Sequence, residues 1–295
     1  MSKNHSRQID DKSGFYQSQV FSYHSGLPLV ASYLSRASLT ESKKIMQIFS
    51  SFLSDRKYKN DILSDKKFLL FKSKGTLTEN EQKVISKGNL LYQNQYYELL
   101  AIDPIDLFMY DSTYIDVYNR IRDSLFLTKR DFLVNDTSLF FDFYNTNQNK
   151  PILEFTKDNF SSGKKSEYNI LYKDKSKFDH NRIYNVSFWY YNNAKQINNN
   201  ILVVSEINKK GKSKWTTKSS ISKSFNIYDE WSLISVDFKI KKETDMVSIF
   251  LKGGWRDEQT IYYNEILVRD KGLNVYKTLP DSALFYNNFR TNIKY

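Results

Sequence analysis

Residues 232–240 read Ser-Leu-Ile-Ser-Val-Asp-Phe-Lys-Ile. Ile234, Val236, Phe238 and Ile240 fall at every second position, with Leu233, Ser235, Asp237 and Lys239 between them. A strand turns successive side chains to opposite sides, so this spacing predicts an antiparallel sheet with one buried face and one wet face. The same reading extends in both directions. Strands are expected at 138–144, 152–157, 166–173, 183–191, 200–208, 215–225, 246–252 and 260–269, separated by polar clusters rich in Asn, Lys and Ser. A series of short strands with no helix between them predicts an all-β sandwich over 133–272.

The first 132 residues read differently. Phe15–Tyr23 has the composition of an extended segment, and Leu27–Arg36 that of a short helix with Pro28 in its first turn. Ser38 with Glu41 and Thr78 with Glu81 are spaced as capping boxes, and Ile45, Ile48, Phe49 and Phe52 follow the first of them at helical spacing. Lys67–Lys72, Leu90–Tyr92 and Tyr96–Ile102 read as strands, and 106–127 as a longer helix burying Ile115, Tyr118 and Ile121. This alternation predicts a small α/β domain over 1–132 with a parallel or mixed sheet. Residues 273–295 form an aromatic tail expected to pack on one of the two domains.

Composition narrows the chemistry. The chain holds no cysteine, which removes disulfides, thiolate metal sites and cysteine nucleophiles. Its three histidines, His5, His24 and His180, have no metal-ligand spacing, and there is no HExxH, no G-x-S-x-G and no glycine-rich phosphate loop. No catalytic or metal-ligating residue is therefore assigned. The net charge of +11 is uneven: residues 1–150 carry 20 basic and 17 acidic side chains, a net of +3, and residues 151–295 carry 24 and 16, a net of +8. The excess is mostly Lys scattered among Asn and Ser, the pattern of a solvated surface. Apolar runs such as Phe68–Phe71 and Ile201–Val204 are far shorter than the ~18 residues of a membrane span, and the polar start lacks the apolar core of a signal peptide.

Three pieces of the second half carry a resemblance: Leu139–Tyr144 (LFFDFY), Ser162-Gly163-Lys164-Lys165-Ser166 as a glycine turn before a strand, and Trp231 opening a strand ahead of the closing Ile261–Asp270 (IYYNEILVRD). Together they resemble the jelly roll of carbohydrate-binding modules attached to bacterial surface proteins. The resemblance implies a non-catalytic module whose partner is a glycan or cell-envelope polysaccharide. Such modules often close with paired acids that suit a structural calcium. Here Asn264 stands beside Glu265, which counts against calcium, and no cofactor is expected. In the first half, Gly26–Arg36, KFLLFK at 67–72, residues 76–94 and YYELLAIDP at 96–104 resemble an extramembrane region of polytopic bacterial glycosyltransferase-type proteins. That likeness implies a bacterial, extracytoplasmic setting at the cell envelope, with the membrane helices of a parent protein as further partners.

Sugar recognition needs flat apolar rings for the pyranose surface and polar groups for its hydroxyls. With Tyr184, Val186, Phe188 and Tyr190 turned to the core, Trp189 and Tyr191 face outward as a stacking platform, unless a loop or the other domain covers them. Trp215, in a Lys-rich turn, and Trp255, beside Arg256 and Asp257, are the ring-bearing loop candidates, while Trp231 is assigned to the core. Two other readings stay open. Asp103, Asp106, Asp111 and Asp116, or Asp257 and Glu258, could furnish the two carboxyls of a glycan hydrolase, although a helix N-terminus also draws such acids. Lys209, Lys210, Lys212, Lys214 and Lys218 around Trp215 could hold nucleic acid, the less favoured partner.

Overall fold

The computed structural model describes residues 12–28, 47–53, 56, 59, 65–73, 75–109, 111–127, 132–136, 140–144, 161–175, 178–192, 200–221, 224, 226–228, 231–253, 258–278 and 283–294. The chain divides into two compact units, Met1–Phe52 with Arg56–Tyr110, and Leu53–Asp55 with Asp111–Tyr295. The division at Tyr110 falls earlier than the boundary expected at 132.

The first unit contains α1 (Lys12–Ser25), β1 (Phe68–Ser73), α2 (Glu79–Ile85), β2 (Asn89–Gln93), β3 (Tyr97–Ile102) and the single turn α3 (Pro104–Leu107). Its sheet has the order β1-β3-β2 and pairs antiparallel throughout, which corrects the expected parallel or mixed sheet. The cause is local. Asn94 Oδ1 accepts from the backbone N–H of Tyr96 at 2.8 Å and of Tyr97 at 2.9 Å, folding a tight turn, whereas a parallel pair would need a long crossover. The α2 capping box forms as read: Thr78 N–H donates to Glu81 Oε2 at 2.6 Å, and Glu81 N–H donates to Thr78 Oγ1 at 3.3 Å. Residues 15–23 are helical, not extended, and Phe21 meets Phe71 edge-on at 5.2 Å. Most of 27–36 and the first capping box lie outside the described residues.

The long helix expected over 106–127 is broken. After α3, Asp111 Oδ1 accepts from Thr113 N–H at 3.0 Å and Thr113 Oγ1 at 2.6 Å, and this turn starts a separate helix, α4 (Thr113–Ile121), in the second unit. Tyr114 and Tyr118 are its buried residues, not Ile115 and Ile121. They pack on Tyr286 at 5.3 Å and on Tyr276 at 5.1 Å.

The second unit continues with β4 (Phe126–Leu127), β5 (Leu133–Val134), β6 (Phe140–Tyr144), β7 (Ser161–Lys164), β8 (Asn169–Lys175), β9 (Tyr184–Tyr191), β10 (Ile201–Asn208), β11 (Ser213–Ser220), β12 (Ile227–Tyr228), β13 (Trp231–Phe238), β14 (Thr244–Lys252), β15 (Thr260–Asp270), β16 (Val275–Thr278), β17 (Ala283–Tyr286) and β18 (Phe289–Lys294). Four strands pair as β11-β10-β14-β8, and six as β12-β13-β9-β15-β6 with β7 also on β15. Their inner faces meet in one core, with Leu202, Val204, Val247, Ile249 and Leu251 from the first sheet against Val186, Phe188, Ile234, Phe238 and Val268 from the second. This is the expected β-sandwich. Each fully buried Val, Leu, Ile or Phe contributes roughly 1.5–3 kcal/mol before chain entropy is counted. The strand expected at 152–157 lies outside the described residues. Gly163 lies within β7, not in a turn; a Cβ there would come within 1.5 Å of Asn169 Oδ1. Glycine is needed because the Asn169 amide closes over it to donate to Lys164 O at 2.8 Å and Glu167 O at 3.1 Å.

The outer side of the six-stranded sheet is wet only in part: Ser235, Asp237 and Lys239 are exposed as read, whereas Leu233 is buried. A third sheet, β18-β17-β16-β5-β4, lies on it. Phe132, Val134, Leu273 and Val275 pack on Leu267 of β15. Asn287 and Asn288, with φ of 50° and 71°, turn β17 into β18. Two residues of positive φ give the hairpin twist that Asn tolerates. Asn288 then reaches the sandwich, donating through Nδ2 to Ser187 Oγ at 3.1 Å and to Glu265 O at 2.7 Å. The described residues 273–278 and 283–294 thus pack within the second unit.

Glu265 sits at the β-bulge where this sheet docks, with φ of 53° and 2% exposure. Burial pushes its carboxyl well above the usual carboxylate range, and Lys277 only partly opposes that. A raised folded value means that stability is fully present below the unfolded pKa, about 4.3, and is lost as pH rises toward the folded one. Glu265→Gln should therefore raise the urea midpoint at pH 7.5 and leave it nearly unchanged at pH 4. A difference that does not vary with pH would show that this carboxyl is not the titrating group.

Candidate functional site

The four-stranded sheet has an outer face that the core does not use. Register fixes which side chains stand on it, because residues directly opposite in an antiparallel pair share a face. Val203 of β10 faces Phe250 of β14 and Lys218 of β11, and Phe250 faces Ile170 of β8. The next row is Trp215, Ser205, Ser248 and Lys173. On the other side of the Val203 row, Ile201 is flanked by Ser220 and Lys252. Bulges after Val204 and after Ile249 shift the alternation, so that Trp215 and Lys218, and Ile170 and Lys173, point to the same side despite odd spacing.

Two aromatic rings and two ammonium groups meet here. Trp215 is half-buried, packed edge-on against Phe250 at 5.7 Å and Tyr168 at 6.5 Å. Tyr168 leads into β8 and is 51% exposed. Lys252, only 8% exposed, lies 4.3 Å from the centre of the Tyr168 ring and 5.3 Å from that of Trp215, and its Nζ donates to Tyr168 Oη at 2.7 Å. Lys218, exposed, holds its Nζ 5.0 Å from the Trp215 ring centre. An ammonium over such rings gains about 0.5–2 kcal/mol. The stems of Lys252 and Phe250 fix the rings from below, while Tyr168 and Lys218 are open to solvent. The arrangement offers a ring edge, a phenol and an exposed ammonium on one face, while the hydroxyls of Ser205 and Ser213 bond each other at 2.7 Å.

The other residues singled out from the sequence fare differently. Trp189 points to the outer side of the six-stranded sheet as expected, but it is 2% exposed: it packs with Trp231 and Leu233, and its Nε1 donates to Asn288 O at 3.1 Å. The β17–β18 hairpin has taken the place a sugar would occupy. Tyr191 is half-buried in the same cluster, 5.3 Å from Trp231 and 6.2 Å from Tyr262. The proposed Trp189–Tyr191 platform is therefore corrected to packing. Trp231 is buried as expected, although in this outer cluster and not between the sheets. Trp255, Arg256 and Asp257 lie outside the described residues. Trp215 stands on β11, not in a turn; the turn is Asn208–Lys212, where Asn208 Oδ1 accepts from the N–H groups of Lys210 and Lys212, both at 3.0 Å.

The acidic residues considered for hydrolysis have structural surroundings. Asp111 forms the turn before α4 by accepting from Thr113, Asp103 precedes α3 and lies 3.2 Å from Lys67, and Glu258 pairs with Lys164 at 2.8 Å. Asp270 lines an open depression of about 390 Å³ with Arg182, Ile183, Lys271 and Gly272, where it accepts from Arg182 at 3.2 Å and from Gly272 N–H at 2.8 Å. Among the described residues there is no group of three or more His, Asp or Glu placed to hold a metal ion, and no helix long and apolar enough to cross a membrane. Tyr168 and Lys252 were missed by a reading that weighed tryptophans first; an aromatic at a strand entry after the Lys164–Ser166 turn is the signal that could have found Tyr168.

No family model and no curated protein matches the chain. Among solved structures it is similar to the CBM22-1 xylan-binding domain of Paenibacillus barcinonensis Xyn10C, at 8% identity and a TM-score of 0.29 over 48% of this chain and 87% of that one. It is also similar to the C-terminal family 22 carbohydrate binding module of Clostridium thermocellum Xyn10B, at 7% identity and a TM-score of 0.28 over 46% and 96%. A third is xylanase 10C of Cellvibrio japonicus in complex with xylopentaose, at 7% identity and a TM-score of 0.28 over 46% and 28%. The similarity to these neighbours is low, and the functional reading rests on the face itself.

Proposed function

We propose that the second unit is a non-catalytic, jelly-roll-like module that binds carbohydrate on the outer face of its four-stranded sheet, at the bacterial cell envelope. The observation that carries this is the half-buried Trp215 on the outer face beside an exposed Tyr168 and two ammonium groups. The described tryptophans elsewhere, Trp189 and Trp231, are buried under the β17–β18 hairpin. A ring left at the surface with polar groups converging on it has the composition of a binding site. The hydrolase reading is less well supported, since the described acids sit at helix starts and in ion pairs. The envelope setting follows from the resemblance of the first unit alone, and cell fractionation tests it separately.

Affinity electrophoresis and calorimetry of the full chain against a panel of neutral and acidic polysaccharides test the binding. Trp215→Ala should weaken the retained polysaccharide about tenfold or more, because Trp anchors commonly dominate binding. Its unfolding free energy should fall by less than that of a fully buried tryptophan, since the ring is only partly buried. Retention of no polysaccharide at all, or undiminished retention by the variant, would overturn the assignment.

A further inference from the structure

The strands of the four-stranded sheet separate their charges by side. They carry five lysines, Lys173, Lys175, Lys214, Lys218 and Lys252, and three acids, Asp174, Glu206 and Asp245. Lys173 stands opposite Ser248, Lys175 opposite Met246, Lys218 opposite Val203 and Lys252 opposite Ile201, all on the outer side. Asp174 and Glu206 both stand opposite Val247, whose side chain is in the core, so they belong to the other side of the pleat, as does Lys214 opposite Glu206. Glu206 is held there by Lys241 N–H at 2.9 Å and by the Thr244 hydroxyl. Asp245 is the extra residue of the bulge before Met246. The face that carries Trp215 thus bears four ammonium groups, while the two acids whose pairing fixes their side, Asp174 and Glu206, are on the other.

We infer that the polysaccharide taken by this face is anionic, bearing carboxylate or phosphate groups along its chain. This rests on the carbohydrate reading of the same face and adds the class of ligand. Four like charges on one sheet face repel one another, and a binding partner of opposite sign relieves that repulsion. Lys173 and Trp215 occupy opposite edges of one row, three strand spacings or about 14 Å apart, so the charge is spread over the width of the sheet. A chain crossing the strands from β11 to β8 would set one sugar against the Trp215–Tyr168 rings and present its acidic groups to Lys252, Lys173 and Lys175. Single-stranded nucleic acid is also anionic and stacks on rings. It is less well matched, because such grooves line up successive aromatics and arginines, and the described strands of this face offer one cluster of rings and no arginine.

The test is calorimetry of the full chain with polygalacturonate, a phosphate-linked teichoic acid, neutral xylan and a dT20 oligonucleotide, at 50 and 300 mM NaCl. The wild type should bind polygalacturonate or the teichoic acid at least about tenfold more tightly than xylan, and that binding should weaken about tenfold or more at the higher salt. Which of the two binds tells carboxylate from phosphate. The double variant Lys173→Gln/Lys175→Gln, altered at two exposed positions away from the rings, should lose about tenfold for the anionic polymer. If xylan binds equally well and the double variant is unaffected while Trp215→Ala abolishes binding, the carbohydrate reading stands and the charge inference is overturned. If no polysaccharide binds, both fall; if dT20 binds more tightly than every polysaccharide, the ligand class is nucleic acid and the inference is wrong.

Discussion

Trp189→Ala should cost the second unit about 3–5 kcal/mol, enough to remove a large part of the stability of a domain of this size. The loss has three parts. The indole is among the largest fully buried side chains and packs on Trp231 and Leu233, so its removal opens a cavity that two rigid sheets cannot close. Its Nε1 is the donor to Asn288 O, and without it a buried carbonyl loses its partner, at about 1–3 kcal/mol. The third sheet is also loosened, since Asn288, with Phe289 packed on the Trp189 cluster, joins the β17–β18 hairpin to β9 and β15. Urea unfolding followed by circular dichroism gives the number. Trp189→Phe should recover most of the packing but not the hydrogen bond, and fall between the two. Polysaccharide affinity of the folded Trp189→Phe protein should match the wild type, the reverse of the Trp215→Ala pattern. A stable Trp189→Ala protein that has lost binding would return Trp189 to the site.

That contrast shows where the sequence was legible. Alternation at 232–240 announced a sheet, and Ile234, Val236, Phe238 and Ile240 do face the core. What alternation cannot show is what covers the other side. Leu233 and Trp189 were assigned to water because they alternate with core residues, yet each is buried beneath a segment about 55–100 residues further along the chain. The Asn287–Asn288 pair between two aromatic strands was the available sign that 283–294 forms a hairpin, and a hairpin with aromatic residues needs a surface to lie on. At 15–23 the aromatic content argued for a strand, but strand preference mostly measures packing context, and here the rings serve a helix. The binding face was legible only in part. Trp215 could be named from its lysine-rich neighbourhood, whereas Lys252, Lys173 and Tyr168 join it only through pairing register and bulges, which no local pattern specifies.

Arg269→Met should be nearly as damaging as the loss of Trp189, at about 3–5 kcal/mol, although it removes no aromatic surface. Arg269 is 7% exposed near the end of β15, and burial lowers its pKa from the usual arginine value. Its Nη1 donates to Asp270 O at 3.1 Å, to Lys271 O at 3.0 Å and to Leu273 O. Those three carbonyls belong to the turn that carries the chain from the six-stranded sheet into β16, so one guanidinium holds the junction between the sandwich and its third sheet. Methionine fills similar space and donates nothing, leaving the carbonyls to find water that the packing of Leu273 and Val275 largely excludes. Arg269→Lys should restore only part of the loss: all three bonds come from the single Nη1, and an ammonium has donors enough for them, but the shorter lysine stem does not carry its nitrogen to the same point. Arg182→Ala is the matched control: it also sits beside this turn and pairs with Asp270, but its side chain is 46% exposed, and its loss should leave the midpoint close to that of the wild type. Chemical denaturation of the three variants at one pH separates the cases. An Arg269→Met midpoint close to that of Arg182→Ala would mean that solvent satisfies the turn, and that the third sheet is held by its apolar contacts alone.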